Sequence, residues 1–148
     1  MKFLGTDAIN PPALLDAFTR EAAGAGAIVS FTGVVRGNDG VSQLWLDHHP
    51  RMTEQVLAKI DKDARLRFDL DALEIQHRIG FVASGEPIVF VAAAARHRRA
   101  AFDAVDYIMD RLKTDAPFWK RELRESGGRW IEARPEDHHD RARWEEQA

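Results

Sequence analysis

Cysteine is absent from this 148-residue chain. Disulfides, thiolate-bound metals, iron–sulfur clusters and a cysteine nucleophile are therefore excluded. Long apolar runs are missing too: the longest, residues 88–95, is far shorter than the ~20 residues that a membrane-spanning helix needs. The first residues lack the apolar stretch and small-residue cleavage site of a secretory signal. We therefore expect a cytoplasmic protein without a membrane partner.

The motifs of several common active sites are missing as well. The chain contains neither of the glycine-rich phosphate loops, G-x-G-x-x-G and G-x-x-x-x-G-K-[ST], and neither H-E-x-x-H nor G-x-S-x-G. Its histidine pairs at 48–49 and 138–139 are adjacent in sequence, and adjacent side chains rarely converge on one metal ion. His77 lies in a strand pattern and is interpreted as a hydrogen-bonded structural residue. We expect no metal site and no cofactor.

The charge is small overall but unevenly distributed. The net charge of −3 argues against binding to nucleic acid in bulk. Residues 1–95 sum to −3, residues 96–134 to +3, and residues 135–148 to −3 again. A basic segment between acidic ones indicates a local anionic site better than a polyanion-binding surface, although solvated helix faces would give the same counts.

The pattern of apolar residues predicts an α+β domain. Helical spacing predicts a helix after Pro11-Pro12 with Asn10 as its N-cap, and two more helices over 51–68 and 98–112. Near-alternating or β-branched runs predict strands over 27–35, 41–46, 73–82, 87–95 and 128–133. We expect the first two strands to form a hairpin through residues 36–40, and a short helical turn to follow Pro117. The predicted architecture is a mixed or antiparallel sheet covered by helices.

We expect one domain over residues 1–148, with a loosely ordered acidic tail over 135–148 apart from Trp144.

Cations cluster at the breaks between these elements. Singly, each fits a surface or helix-dipole role, because a lysine in the last turn of a helix complements the helix dipole. Together they suggest a pocket for an anion, in which one lysine is available for proton transfer or covalent chemistry if a neighbouring cation lowers its pKa. Residue types alone do not name the substrate of such a pocket. The residues concerned are Arg36, His97, Arg98, Lys113, Lys120 and Arg134.

At these residues the chain resembles the large, catalytic subunit of molybdopterin synthase. The most specific stretch is DRLKTDAPFWKRE (110–122), within the matching segment HRRAAFDAVDYIMDRLKTDAPFWKRE (97–122). The order and spacing of the other segments agree, and the resemblance covers about residues 27–134. Those segments are SFTGVVRGND (30–39), LDHHPRMTE (46–54), IQHRIGFVASGEPIVFV (75–91) and RWIEAR (129–134). The second of them departs from the family's usual LEHYPGMTE at Asp47, His49 and Arg51.

The resemblance implies an α/β hammerhead-type α+β fold and a homodimer at the core of a heterotetramer. A small ubiquitin-like sulfur-carrier partner would bring its C-terminal Gly-Gly thiocarboxylate into a pocket of the large subunit. Sulfur would pass to cyclic pyranopterin monophosphate and form the dithiolene of molybdopterin. By motif, the catalytic lysines fall on Lys113 and Lys120. The substrate-binding residues fall on Phe31, Arg36, His97, Arg98, Met109 and Arg134.

Two other functions remain open from the sequence. The same fold could bind a ubiquitin-like partner or an anionic ligand without turnover, although two lysines at one site favour an enzyme over a binding module. A small RNA-binding domain fits poorly, because the net charge is negative and no strand combines aromatic with basic residues.

Overall fold

The computed structural model describes residues 3–36, 41–116, 118–124, 127–131 and 134–146. Its helices are α1 (Pro11–Glu21), α2 (Pro50–Arg67), α3 (Arg98–Thr114) and α4 (Pro135–Glu146). Its strands are β1 (Leu4–Gly5), β2 (Ala27–Val34), β3 (Val41–His48), β4 (Ala72–Arg78), β5 (Gly80–Ala83), β6 (Pro87–Ala95), β7 (Phe118–Arg124) and β8 (Gly127–Ile131). Within these ranges no helix is both long and apolar enough to cross a membrane.

The strands form two four-stranded sheets. The first has the order β1-β4-β6-β2 and is mixed, because β1 runs parallel to β4 while the other neighbours are antiparallel. The second has the order β5-β3-β7-β8 and is antiparallel throughout. The predicted α+β class with a mixed sheet is confirmed.

The central strand β6 explains how the helices cover the first sheet. Its Val89, Val91 and Ala93 belong to a core built with α2 and α3, whereas Phe90, Ala92 and Ala94 pack with α1 on the opposite face. Alternate strand residues point to opposite faces, so a strand covered on both sides is apolar at every position. This accounts for the longest apolar run in the sequence.

The helices begin where the sequence supplies caps. The Oδ1 of Asn10 accepts the backbone N–H of Ala13 (3.2 Å), as predicted for the start of α1. The Nδ1 of His49 accepts the backbone N–H of Met52 (3.3 Å) and so caps α2. His49, one of the departures from the family pattern, therefore has a structural role. His77 is buried and its Nδ1 donates to the Arg78 carbonyl (2.7 Å), which confirms the structural interpretation of this residue.

The predicted hairpin of the second and third strands is wrong. β2 pairs with β6 in the first sheet, whereas β3 pairs with β5 and β7 in the second. The predicted strand over 73–82 is likewise divided at Ile79 into β4 and β5, which belong to different sheets. Gly80 follows the break with a φ of +79°, a conformation that glycine adopts without strain.

Two other predictions fail in the C-terminal part of the chain. The helical turn expected after Pro117 is wrong, since residues 118–124 form β7; Pro117 itself lies outside the described residues. The tail predicted to be loosely ordered forms α4 over residues 135–146.

Helix α4 is held against α3 by partly buried and exposed polar contacts that its weak periodicity does not reveal. The indole N–H of Trp144 donates to Asp110 (2.6 Å), and the guanidinium of Arg143 donates to the same carboxylate (2.7 Å). The Trp144 ring is buried edge-on against Tyr107 and Phe68. Further along, Arg141 donates twice to Asp115 (2.9 and 3.2 Å) at the end of α3.

We expect Asp115→Asn to lower the free energy of unfolding by about 1–3 kcal/mol at neutral pH, because this carboxylate joins Arg111 of α3 to Arg141 of α4. Burial raises the pKa of Asp115, but the hydrogen bonds from Arg141 and Arg111 outweigh it and the pKa lies below its ordinary value. When folding lowers the pKa of a carboxyl, that group stabilises the folded protein at pH values above its pKa in the unfolded state. This contribution is lost as the pH falls through the pKa of the group in the folded state.

Urea unfolding at neutral pH and at several acidic values would measure this effect. The unfolding free energy of the wild type should fall more steeply than that of Asp115→Asn as pH drops below about 5. Asp16→Asn is the matched control, since it removes the same charge from an exposed pair with Arg20 and should cost less than about 1 kcal/mol. Equal pH slopes for the wild type and Asp115→Asn would contradict the prediction.

Candidate functional site

Helix α3 determines which of the predicted residues can meet. Only residues 96–97 separate the end of β6 from the start of α3. The chain therefore turns back, and α3 runs antiparallel to β6 over one face of the first sheet. Its buried Ala104, Val105, Ile108 and Leu112 share a core with Val89 and Val91 of β6. The C-terminal end of α3 therefore lies over the end of the sheet at which β6 begins and β2 finishes.

Lys113 and Met109 lie at this C-terminal end. Lys113 is exposed in the last turn, and Met109, one turn earlier, is half-buried against the main core. Side chains one turn apart lie on the same helix face, so Met109 supports the surface from which Lys113 projects.

Arg134 reaches the same place from another element. It directly precedes α4 and follows β8, whose Ile131 is paired with Lys120 of β7. Its guanidinium is 63% exposed and donates to the Asp137 carboxylate (Nη2 to Oδ1, 3.3 Å). The second carboxylate oxygen accepts the backbone N–H of Arg134 (3.0 Å).

Asp137 links Lys113 electrostatically to Arg134. Burial raises the pKa of the Asp137 carboxyl, but hydrogen bonds from Arg134 and the charges of Lys113 and Arg134 outweigh it, so the pKa lies below its ordinary value. Two of the predicted site residues therefore act on one buried carboxylate. Asp137 was not among the predicted site residues; the only sequence signal was an acidic residue in the first turn after Pro135.

Arg36 and Phe31 approach the same end from β2. Arg36 is exposed just beyond the strand, where Val35 hydrogen-bonds Glu86 and Gly85 at the turn into β6. Phe31 is opposite Val91, and directly paired residues of antiparallel strands point to the same face. Phe31 therefore lies on the face covered by α3, at the sheet edge, and is 40% exposed.

Gly33 leaves room for the Phe31 ring. A Cβ at this position would stand 2.6 Å from Val89 Cγ1 and 3.3 Å from Phe31 Cε1, so any larger residue would have to displace one of them. The ring of Phe31 thus lies along the strand because the residue two positions later has no side chain.

Lys120 is placed by its backbone alone. It lies in β7, with its Cα paired with Leu46 of β3 and Ile131 of β8. Its side chain lies outside the described part of the structure, so the convergence of Lys120 with Lys113 stays a prediction.

His97 and Arg98 do not join this group within one chain. Both are exposed at the N-terminal end of α3, where His97 is the N-cap residue but makes no capping hydrogen bond through its side chain. Along a 17-residue helix, at ~1.5 Å per residue, the backbones of Arg98 and Lys113 are roughly 22 Å apart. Two cations at this separation do not contact one phosphate group.

The C-terminal end of α3 therefore carries the exposed Lys113 and the half-buried thioether of Met109, with the exposed Arg134 at the start of the helix that packs on it. Exposed cations can bind an anion, and a lysine amine can exchange a proton. Among the described residues no group of three or more His, Asp or Glu is arranged to hold a metal ion.

Comparisons with known proteins agree on one family. The model of the family described as "MoaE protein" matches residues 4–115. The molybdopterin synthase catalytic subunit of Pseudomonas aeruginosa is 50% identical over 142 residues, which cover 94% of this chain and 95% of that protein. The molybdopterin biosynthesis MoaE protein from Burkholderia ambifaria superposes with a TM-score of 0.83 at 38% identity, covering 98% and 99% of the two chains.

A more distant structure has the same fold. The complex of subunits 1 and 2 of molybdopterin-converting factor from Helicobacter pylori contains a chain with a TM-score of 0.75 at 24% identity, with 90% of each chain covered.

Proposed function

The chain belongs to the MoaE family, whose relatives at up to 50% identity are molybdopterin synthase catalytic subunits, and from this membership we propose its reaction in detail. It takes sulfur from the C-terminal thiocarboxylate of a small ubiquitin-like partner and transfers it to cyclic pyranopterin monophosphate. Two such transfers form the molybdopterin dithiolene. The family resemblance predicted from the sequence is thereby confirmed, whereas the roles of individual residues remain part of the proposal.

The observation that carries the proposal is the Asp137 carboxylate near the end of α3, which accepts from the Arg134 guanidinium (3.3 Å) and whose pKa the charge of Lys113 helps to lower. Sulfur transfer requires that the thiocarboxylate be held in line, that the pterin carbon be activated, and that protons move as oxygen departs. An ammonium offsets the charge of the thiocarboxylate and can exchange a proton with the leaving oxygen. The absence of cysteine fits this reaction, because the sulfur arrives on the partner.

We assign substrate binding to the cations and apolar groups around Lys113. Arg36 and Arg134 bind the phosphate and pterin, since a guanidinium offers paired donors to an anion. Phe31 and Met109 contact the ring system of the substrate. Lys120 steadies the terminal carboxyl group of the partner.

We further infer that a second copy of the chain supplies His97 and Arg98. A site within one chain would have to extend along the whole of α3, roughly 22 Å, to include them. In a twofold dimer, the C-terminal end of α3 with Lys113 would belong to the site of its own chain. The N-terminal end with His97 and Arg98 would belong to the site of the second copy. Exposed Phe31, Val34 and Phe102 lie on β2 and α3, two elements that pack together, and such a surface favours contact with another protein.

The small partner is expected to insert its Gly-Gly tail, because glycine lets a chain pass through a narrow channel. Support comes from the Helicobacter pylori neighbour, which was solved as a complex of two subunits. The assembly we propose is a homodimer flanked by two small subunits. The cytoplasmic location expected from the sequence stays a prediction.

Reconstitution with purified components tests the reaction. This chain, a thiocarboxylated small subunit and cyclic pyranopterin monophosphate should together yield dithiolene product, and omission of any one should abolish it. The matched control is the same small subunit with an ordinary C-terminal carboxylate, which should bind but give no product. Formation of a stable complex without any product would instead support the non-catalytic binding module.

A further inference from the structure

Among the described side chains of the proposed site, Asp137 is the least exposed charged group. Its side chain is 10% exposed, whereas the Arg134 guanidinium that it binds is 63% exposed. One carboxylate oxygen accepts the backbone N–H of Arg134 (3.0 Å), an interaction that caps the start of α4. The other oxygen accepts from the guanidinium (3.3 Å), and capping alone does not require this second bond.

The position of Asp137 is set by the docking of α4 onto α3. Arg141 and Trp144, one and two turns further along α4, are bonded to Asp115 and Asp110 of α3. The carboxylate is thereby held beside the last turn of α3, which carries Lys113. Burial raises the pKa of the Asp137 carboxyl, but hydrogen bonds from Arg134 and the charges of Lys113 and Arg134 outweigh it, so the pKa lies below its ordinary value.

A buried carboxylate at this place reduces two energetic costs of binding an anion. Two cations that must bind one anion repel each other when the site is empty, and an exposed arginine loses side-chain entropy when it becomes ordered on the substrate. A carboxylate that is bonded to the guanidinium orders it before substrate binds, and its negative charge offsets part of the repulsion. Such preorganisation lowers the cost of binding.

We propose that Asp137 is a positioning residue, which holds the Arg134 guanidinium in the arrangement that receives the anionic substrate. It acts through Arg134 and does not itself contact the substrate. This inference rests on the proposed function, which assigns pterin binding to Arg134 and chemistry to Lys113.

Steady-state kinetics of Asp137→Asn test the inference. Asparagine keeps an oxygen for the backbone N–H of Arg134, so the cap of α4 is retained while the charge is removed. We expect the KM for the pterin to rise roughly 10-fold, as for loss of one charged hydrogen bond, with a smaller fall in kcat. Because Asp137 acts through Arg134, the double variant with Arg134→Ala should have the KM of Arg134→Ala alone.

Glu136→Gln is the matched control, because it removes the same charge from an exposed residue of the same helical turn. It should change KM less than 2- to 3-fold if the carboxylate at position 137 has the specific role. Thermal unfolding of every variant identifies any loss of folded protein. Multiplicative effects of Asp137→Asn and Arg134→Ala on KM would overturn the positioning role.

A second measurement does not depend on turnover. Carbon NMR of the Asp137 carboxyl in the otherwise wild-type protein should report a pKa below the ordinary value, and both Arg134→Ala and Lys113→Ala should raise it. An unchanged pKa in both variants would overturn the inference whatever the activity. If both variants raise the pKa while the wild type makes no dithiolene, the contact stands and the proposed function fails.

Discussion

Lys113→Ala is expected to reduce product formation by roughly 10²-fold or more, the usual loss when a general acid–base is removed. Lys113 is exposed in the last turn of α3, and its charge acts on the carboxylate that also binds Arg134. We assign to its ammonium the offset of the thiocarboxylate charge and the movement of a proton as oxygen departs. Single-turnover measurements with preformed complex would isolate this step from partner binding.

The control for this prediction is assembly. Lys113→Ala should still form the complex with the small subunit, as measured by light scattering, because the role proposed for Lys113 lies in the transfer step and not in partner binding. Lys120→Ala should be severe but less complete. Near-normal single-turnover rates in Lys113→Ala with intact assembly would refute the assignment and transfer the catalytic role to Lys120 or His97.

Complementation between two inactive variants is the second expected result. If one copy supplies Lys113 and the other supplies Arg98, a heterodimer of a Lys113→Ala chain with an Arg98→Ala chain contains one doubly defective site and one wild-type site. It should recover about half the activity of the wild-type dimer. Differently tagged chains allow this heterodimer to be purified. Rates should be measured below the pterin KM, where Arg98→Ala alone should cost roughly 10- to 100-fold in kcat/KM.

A matched heterodimer carries the same two substitutions on one chain. Paired with a wild-type chain, the double variant Lys113→Ala/Arg98→Ala leaves each shared site with one defect, so we expect almost no activity. A site contained within one chain predicts the reverse. The heterodimer of the double variant with a wild-type chain would then keep one intact site and stay active, whereas the heterodimer of the two single variants would have a defect in each site. That reversed result would contradict the proposal that two copies of the chain share each site.

Local features of the structure could be predicted from the sequence because they depend on neighbouring residues. Asn10 followed by Pro11-Pro12 predicts the start of α1, and the structure has the cap at that residue. The apolar run of β6 was predicted as a strand over 87–95 and forms one there. The helix pattern of α3 was predicted over 98–112, and the structure extends it to Thr114.

Strand partners could not be predicted in the same way. An alternating pattern indicates a strand but not its neighbour, and the turn-forming residues RGNDG (36–40) between two strand patterns predict a hairpin. In the structure β2 is an edge strand beside β6, while β3 lies in the second sheet. Which strands pair depends on how the apolar faces of all the elements pack together in the fold. Strands far apart in the sequence can therefore be neighbours in a sheet.

Motifs and periodicity carry the family, the α+β class and the residue types of the site, so these follow from the sequence, as does the separation of Arg98 and Lys113 along one helix. The grouping of residues from different elements follows from the packing of the fold. The docking of α4 onto α3 brings Asp137, with Arg134 three residues before it, to the end of α3 that carries Lys113. Contacts between residues far apart in the chain depend on how packed elements are oriented, which no local pattern encodes.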